Sequence, residues 1–242
     1  AFITRTSDVN GDGTTDIVVI DNNVNKISVF INNGDGTFAT HVDYTTGTSP
    51  QGMALGDVNG DGKADIVVTN MTANTASVFI NKGNGVFATK VDYTTGTFPT
   101  GVAIADVNGD GKPDMVVADS ASSKVSILLG NGNGTFAAKT DYSTTGGGEY
   151  LALFDVTGDG RPDIAVPNGN IVSVLINSGT GTFGTDVDYT AGSLAWTAAI
   201  GDLNADGKPD IVIGNANSTF VSVFINNGDG TFAAKADYAS GA

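Results

Sequence analysis

The acidic residues of this chain gather in five short loops of one design. The first is Asp8-Val-Asn-Gly-Asp-Gly-Thr-Thr-Asp16, and its counterparts run from Asp57 to Asp65, Asp106 to Asp114, Asp155 to Asp163 and Asp202 to Asp210. Each offers a side-chain oxygen at positions 1, 3, 5 and 9 and a glycine at position 6, which is the pattern a hard, oxygen-seeking cation requires. In the first loop the expected ligands are Asp8, Asn10, Asp12 and Asp16, with the backbone carbonyl of Thr14. The second set is Asp57, Asn59, Asp61, Asp65 and the carbonyl of Lys63; the third is Asp106, Asn108, Asp110, Asp114 and the carbonyl of Lys112. The fourth is Asp155, Thr157, Asp159, Asp163 and the carbonyl of Arg161; the fifth is Asp202, Asn204, Asp206, Asp210 and the carbonyl of Lys208. A Thr hydroxyl is a weaker ligand than an amide oxygen, so the fourth loop is expected to bind least tightly. Position 4 is Gly except at Ala205, and the residue at position 7 is expected to turn its side chain to water. An all-protein oxygen cage favours Ca²⁺ over Mg²⁺, which keeps several of its waters. We therefore expect about five structural Ca²⁺ ions, one per loop. The loop is shorter than an EF-hand and no helical sequence flanks it, which excludes that motif.

The formal charge is −15, and fifteen of the 26 acidic residues are the loop aspartates. Charge spaced so regularly reads as metal-site charge rather than as an acidic interaction tail. A surface of this sign excludes nucleic acid as a partner. There is no cysteine, so disulfides, thiolate zinc sites and cysteine nucleophiles are excluded. No apolar run approaches the roughly 18 residues that would suggest a membrane span.

Stepping outward from the loops, their starts at residues 8, 57, 106 and 155 are evenly spaced, and only the last interval, to 202, is two residues shorter. One domain, 1–242, should thus contain five repeats at approximately 1–49, 50–98, 99–147, 148–194 and 195–242. In the second copy Gly52–Gly56 enters the loop, and the β-branched run Asp65–Thr69 leaves it. Ala76–Asn81 and Val86–Tyr93 form two more strand-like segments, separated by Gly/Asn turns. Four short strands per repeat with no helical period predict an all-β, five-bladed β-propeller of four-stranded antiparallel blades. Small residues on the first strand suit the crowded channel, and the polar fourth strand suits an outer edge. In copy four the segment Pro167-Asn-Gly-Asn170 shortens the turn between strands two and three. The five whole units predict a monomeric ring in which the first and fifth blades meet directly, with an open or oligomeric assembly as the alternative for units cut from a longer array.

The loop Asp-Val-Asn-Gly-Asp-Gly-Lys-Pro-Asp, followed by Val-Val and later by Asn-Gly-Asn-Gly-Thr-Phe, resembles the FG-GAP/VCBS repeats over the whole chain. Such repeats build integrin α-subunit propellers, many secreted bacterial proteins and a group of fungal propeller lectins. The resemblance implies Ca²⁺ in the hairpin between strands one and two, extracellular or cell-surface use, and binding rather than catalysis. Integrin propellers usually have seven blades, so their partners do not carry over to a chain with five.

Where the copies differ is where specificity should sit. Aligned on the loops, Phe2, Gln51, Thr100, Glu149 and Trp196 are equivalent, with Tyr150 beside Glu149. They precede the innermost strand and lie on the face opposite the loops. Trp196, the only Trp, is a natural stacking platform for a sugar or peptide. The recurrent Asp-Tyr pairs (Asp43/Tyr44 through Asp237/Tyr238) read as structural, with Tyr between sheets and Asp bonding a turn. Catalysis has little to work with: His41 is the sole His and is expected in solvent, Glu149 is the only Glu, and no nucleophile–base set appears. The expectation is a non-enzymatic, secreted, Ca²⁺-stabilised binding module. Its ligand would be a carbohydrate, through pockets repeated in each blade gap, or an extracellular protein, through the non-equivalent ring. A ligand-less repeat scaffold is the third reading.

Overall fold

The computed structural model describes residues 3–241. Its described residues form twenty strands and no helix, in five four-stranded antiparallel sheets, each a meander in chain order. Blade 2 is representative: Pro50–Gly56, Asp65–Asn70, Thr75–Phe79 and Val91–Thr94. The fourth strand is shorter than the sequence implies, because Val86–Lys90 leaves the ladder after one isolated bridge between Asn81 and Phe87. The corresponding blade 4 hairpin turns on Gly169-Asn170 alone, as its shorter sequence requires.

The second strands of blades 2, 3 and 4 are buried along their whole length, because a neighbouring sheet covers both of their faces. This explains their unbroken β-branched character. In blade 1 the same strand, Asp16–Asp21, alternates buried and half-buried residues, since one face lacks a covering sheet. Four apolar clusters join blades 1 to 2, 2 to 3, 3 to 4 and 4 to 5. Among the described residues none joins blade 5 to blade 1, and no pair of strands from those blades packs as neighbouring blades do elsewhere. Among the described residues, then, the first and fifth blades do not share an apolar interface like the other four. A constant repeat length specifies each blade but not the rotation between blades, and that rotation decides closure.

Each interface is built from the same parts. The Tyr of a blade's fourth strand meets the Phe of the next blade's Gly-x-Phe turn edge-on: Tyr44–Phe87, Tyr93–Phe136, Tyr142–Phe183 and Tyr189–Phe232, with ring centroids 5.6, 5.4, 5.3 and 5.2 Å apart. The Asp of the Asp-Tyr pair does not bond a turn as expected. It accepts a hydrogen bond from a serine one strand inward, as in Ser77 to Asp92 (2.7 Å) and Ser173 to Asp188 (2.7 Å). Near the channel the sheets approach so closely that a Cβ on Gly52 would lie 2.0 Å from the carbonyl oxygen of Thr100 in blade 3. Only glycine fits there.

Candidate metal loops and channel mouth

The five loops share one face of the molecule. In blade 2 the position-1 carboxylate of Asp57 accepts hydrogen bonds from the N–H groups of Gly60 (2.7 Å) and Gly62 (2.6 Å). Both glycines adopt positive φ, 78° and 81°, so the backbone wraps around the first aspartate. Ala205 holds the same left-handed conformation (φ 61°) without glycine's freedom. Asn59 accepts from the N–H of Asp61, and Asp61 from that of Lys63. In blade 4 the Thr157 hydroxyl turns instead to Asp155, and the N–H of Asp159 bonds Asp155 alone.

Position 9 has a task the sequence reading missed. Asp16, Asp65, Asp114, Asp163 and Asp210 are fully buried. One oxygen of Asp65 accepts from the N–H of Val58 (2.9 Å) and the other from that of Asn81 (2.8 Å). The same pair of bonds recurs in every blade. This aspartate ties the loop to the turn between strands three and four. The signal for it lay in the Asn-x-Gly turns, some sixteen residues downstream, as at Asn81.

Position 7 also departs from expectation. Lys63 and Lys112 pair with Asp61 (3.0 Å) and Asp110 (3.4 Å), and Lys208 lies 3.9 Å from Asp206. Arg161 reaches back to the carbonyl of Asn108 in blade 3. Only in part, then, do these side chains turn to water. Lys208 instead bonds the carbonyl of Asn227. The gap between blades 4 and 5 holds a recess of about 440 Å³ lined by Val156, Thr157, Gly158, Gly207 and Lys208, among others.

The electrostatics of a loop divide by depth. Burial pushes the carboxyls of Asp65, Asp114 and Asp163 up, and the charges of the aspartates at positions 5 and 1 add to that push. At the rim the Lys63 ammonium holds Asp61 down, and the N–H of Lys112 does so for Asp110. Among the described residues no three acidic or imidazole side chains already converge as a cage. The donor chemistry nonetheless fits a hard cation. Each loop presents three carboxylates that repel one another, and carboxylate oxygens keep lone pairs beyond those the backbone N–H groups use.

At the opposite end of the inner strands the variable positions come together. Gln51, Thr100, Glu149 and Tyr150 line one small recess of about 20 Å³. Glu149 and Trp196 share a second, of about 70 Å³, with Asn168 and Leu194. The Tyr150 and Trp196 rings lie 6.0 Å apart at 54°, with Trp196 exposed. Burial pushes the Glu149 carboxyl up. Phe2, the blade 1 member of the set, lies outside the described residues. In blades 2, 3 and 5 the ladder shifts register at these positions, between Pro50 and Met53, Pro99 and Val102, and Ala195 and Thr197. Such bulges re-aim side chains. In blade 4 the inner strand is only Ala152–Phe154, so Glu149 and Tyr150 are outside it altogether. His41 is half-exposed beside Phe30 and Asp43, as its outer-strand position implies.

The FG-GAP-like repeat model matches this chain five times, over residues 8–68, 57–117, 106–166, 155–213 and 202–242. Among curated proteins there is no match. Solved structures with similar folds include a lectin of Agrocybe aegerita, described as specifically recognising non-reducing terminal N-acetylglucosamine. It is 26% identical, with a TM-score of 0.67 over 97% of this chain and 65% of that one. The V. cholerae biofilm matrix protein Bap1 is 19% identical, with a TM-score of 0.60 over 98% of this chain and 39% of that one. A protein from Lactobacillus plantarum is 17% identical, with a TM-score of 0.67 over 96% and 69%. The chain thus spans just under two thirds of the length of the lectin, and less of the matrix protein.

Proposed function

The chain belongs to the FG-GAP-like repeat family, and from that premise we propose that it is a secreted, calcium-stabilised binding propeller whose ligand is a carbohydrate. The observation that carries this reading is the channel mouth, where Tyr150 and Trp196 form an aromatic pair beside Glu149, Gln51 and Thr100. An indole face with a carboxylate and amide at its side suits the apolar face and hydroxyl rim of a sugar. The likeness to a lectin supports the same class of ligand. We assign no catalytic role to the chain.

Calcium is the cation that the loops suit. In each blade the side chains at positions 1, 3, 5 and 9 and the carbonyl at position 7 would hold it. The bound ion would neutralise carboxylates crowded at a tight turn. It would leave the mouth unchanged in composition, acting there only by holding each blade rigid.

A second reading, docking of an extracellular protein, is favoured by one feature. The mouth residues differ in every blade, so the recesses they line are not copies of one another. A lectin built on repeated pockets would show equivalent residues in each gap. A glycan array on the calcium-loaded protein, run with and without EDTA and with Trp196→Ala, separates the two. Binding to one sugar class that is lost in the variant is the expected result. A blank array from folded protein overturns the carbohydrate reading in favour of a protein ligand.

A further inference from the structure

We propose that Asp119 is the proton donor of a buried relay in blade 3, and that loss of its proton releases the linker carrying Phe98 and Thr100 to the mouth. The consequence for a ligand rests on the mouth being the binding site; the proton chemistry does not.

The relay follows from a count of hydrogens. In blade 2 the Asn70 amide donates to Ser77 Oγ (2.8 Å), and Ser77 donates to Asp92 (2.7 Å). Blades 4 and 5 repeat the chain as Asn168–Ser173–Asp188 and Asn215–Ser222–Asp237. Each of these hydroxyls receives one hydrogen and gives one. In blade 3 Asp119 replaces the amide, yet the contacts are kept: Ser126 Oγ lies 2.6 Å from Asp119 and 2.9 Å from Asp141. A serine hydroxyl owns a single hydrogen, so it can donate to only one of two carboxylates. Both contacts are hydrogen bonds when Asp119 is protonated. Its O–H then donates to Ser126, whose own hydrogen goes to Asp141. The other Asp119 oxygen, Oδ1, is buried without a partner, which costs an anion far more than a neutral acid. Blade 1 also has an aspartate here, Asp21, but it is half-buried, accepts from the N–H of Asn23 and leaves Ser28 to Asp43 alone.

The surrounding charges leave the proton in place. Lys124, opposite Asp119 in the ladder, and Lys139 both pair with Asp141. Asp141 faces Asp119 across Ser126, and its charge favours the neutral acid more than Lys139 opposes it. The linkers packed on this corner, residues 95–97 ahead of blade 3 and 145–148 after it, bring no charged side chain.

The same corner holds the linker to the mouth. Gly96 lies so close that a Cβ there would sit 2.5 Å from Asp119 Oδ2. The N–H of Thr97 donates to Ser122 Oγ, and the N–H of Ser122 to the carbonyl of Asp119. The N–H of Ser120 donates to the carbonyl of Phe98, and Asp119 pairs with Pro99 where the ladder shifts register beside Thr100. Phe98 is held at φ 54°, a strained conformation for a bulky side chain. An ionised Asp119 needs water, and water reaches it where this linker lifts.

Two measurements test this, and neither needs a ligand, so the carbohydrate reading and this one fail separately. In ¹³C-aspartate-labelled protein, NMR should show one carboxyl still protonated at pH 5, absent from Asp119→Asn. Amide hydrogen exchange at Thr97 and Phe98, corrected for intrinsic rate, should quicken about tenfold between pH 5 and pH 8. That is the change for a carboxyl at about 6 in the fold that regains its ordinary value when the linker opens. Asp119→Asn rebuilds the relay of blades 2, 4 and 5, so it should fold and exchange slowly at both pH values. An Asp119 that ionises together with the surface aspartates overturns the relay. Linker exchange that ignores pH in the wild type, or keeps its pH dependence in the variant, overturns the release.

Discussion

The two rims of the molecule obey opposite rules. At the loop rim five copies repeat one set of hydrogen bonds almost atom for atom. At the mouth rim the equivalent positions carry Gln51, Thr100, Glu149 and Trp196, and three blades shift register to present them. Invariance at the loops follows from geometry, since the position-1 and position-9 carboxylates each use both oxygens to accept from backbone N–H groups, and an amide has only one acceptor oxygen. At the mouth no such obligation exists, so the side chains are free to differ.

On the proposed calcium reading, chelation would act on the uniform rim in all five blades at once. Under mass action a site held at a hundred times its Kd contributes about 2.7 kcal/mol. EDTA should therefore lower the melting temperature by ten degrees or more in differential scanning calorimetry, and an unchanged Tm would refute the metal reading. Next in size is a contrast within one loop. Asp65→Ala should cost about 2–4 kcal/mol with or without calcium, because it strands two buried N–H groups. Asp61→Ala should matter only when calcium is present. Chemical denaturation of both variants in EDTA and in calcium would separate them, and equal losses in EDTA would break the distinction.

The mouth side has its own buried exception. Asp119 in blade 3 stands where blades 2, 4 and 5 have Asn70, Asn168 and Asn215. Ser126 donates to one of its oxygens at 2.6 Å, while the other is buried with no partner. Burial pushes this carboxyl up to about 6. With the folded value above the unfolded one, this group's contribution to stability is greatest at low pH. It falls as pH rises from about 4 to 6, by an amount on the order of 2–3 kcal/mol. Asp119→Asn should abolish that slope and raise Tm at pH 7–8; a variant that leaves the pH profile of Tm unchanged would contradict this. The smallest effect on stability belongs to the variable rim. Trp196→Ala should change unfolding free energy by about 0.5 kcal/mol or less, as an exposed position does, while removing ligand binding.

The sequence made the blades legible because their signals are local: a nine-residue loop, β-branched strands and Gly/Asn turns. It placed the mouth residues at the correct end of the inner strand for the same reason. The register shifts that present Gln51, Thr100 and Trp196 carry no residue signature, so the sequence could not announce them. The partner of Asp65 lies at Asn81, across two strands, and only the folded sheet brings them together. Closure of the ring depends on angles accumulated over four interfaces, which no local pattern encodes.

Among the described residues every sheet is completed by its own consecutive residues, with no strand lent to a neighbour. A blade emerging from the ribosome can thus finish its hydrogen-bond ladder before the next has been synthesised, and then acts as the template on which that next one condenses. By the same token, duplication of one gene segment adds a working unit without rethreading the rest, so blade number is a quantity that inheritance can change one step at a time.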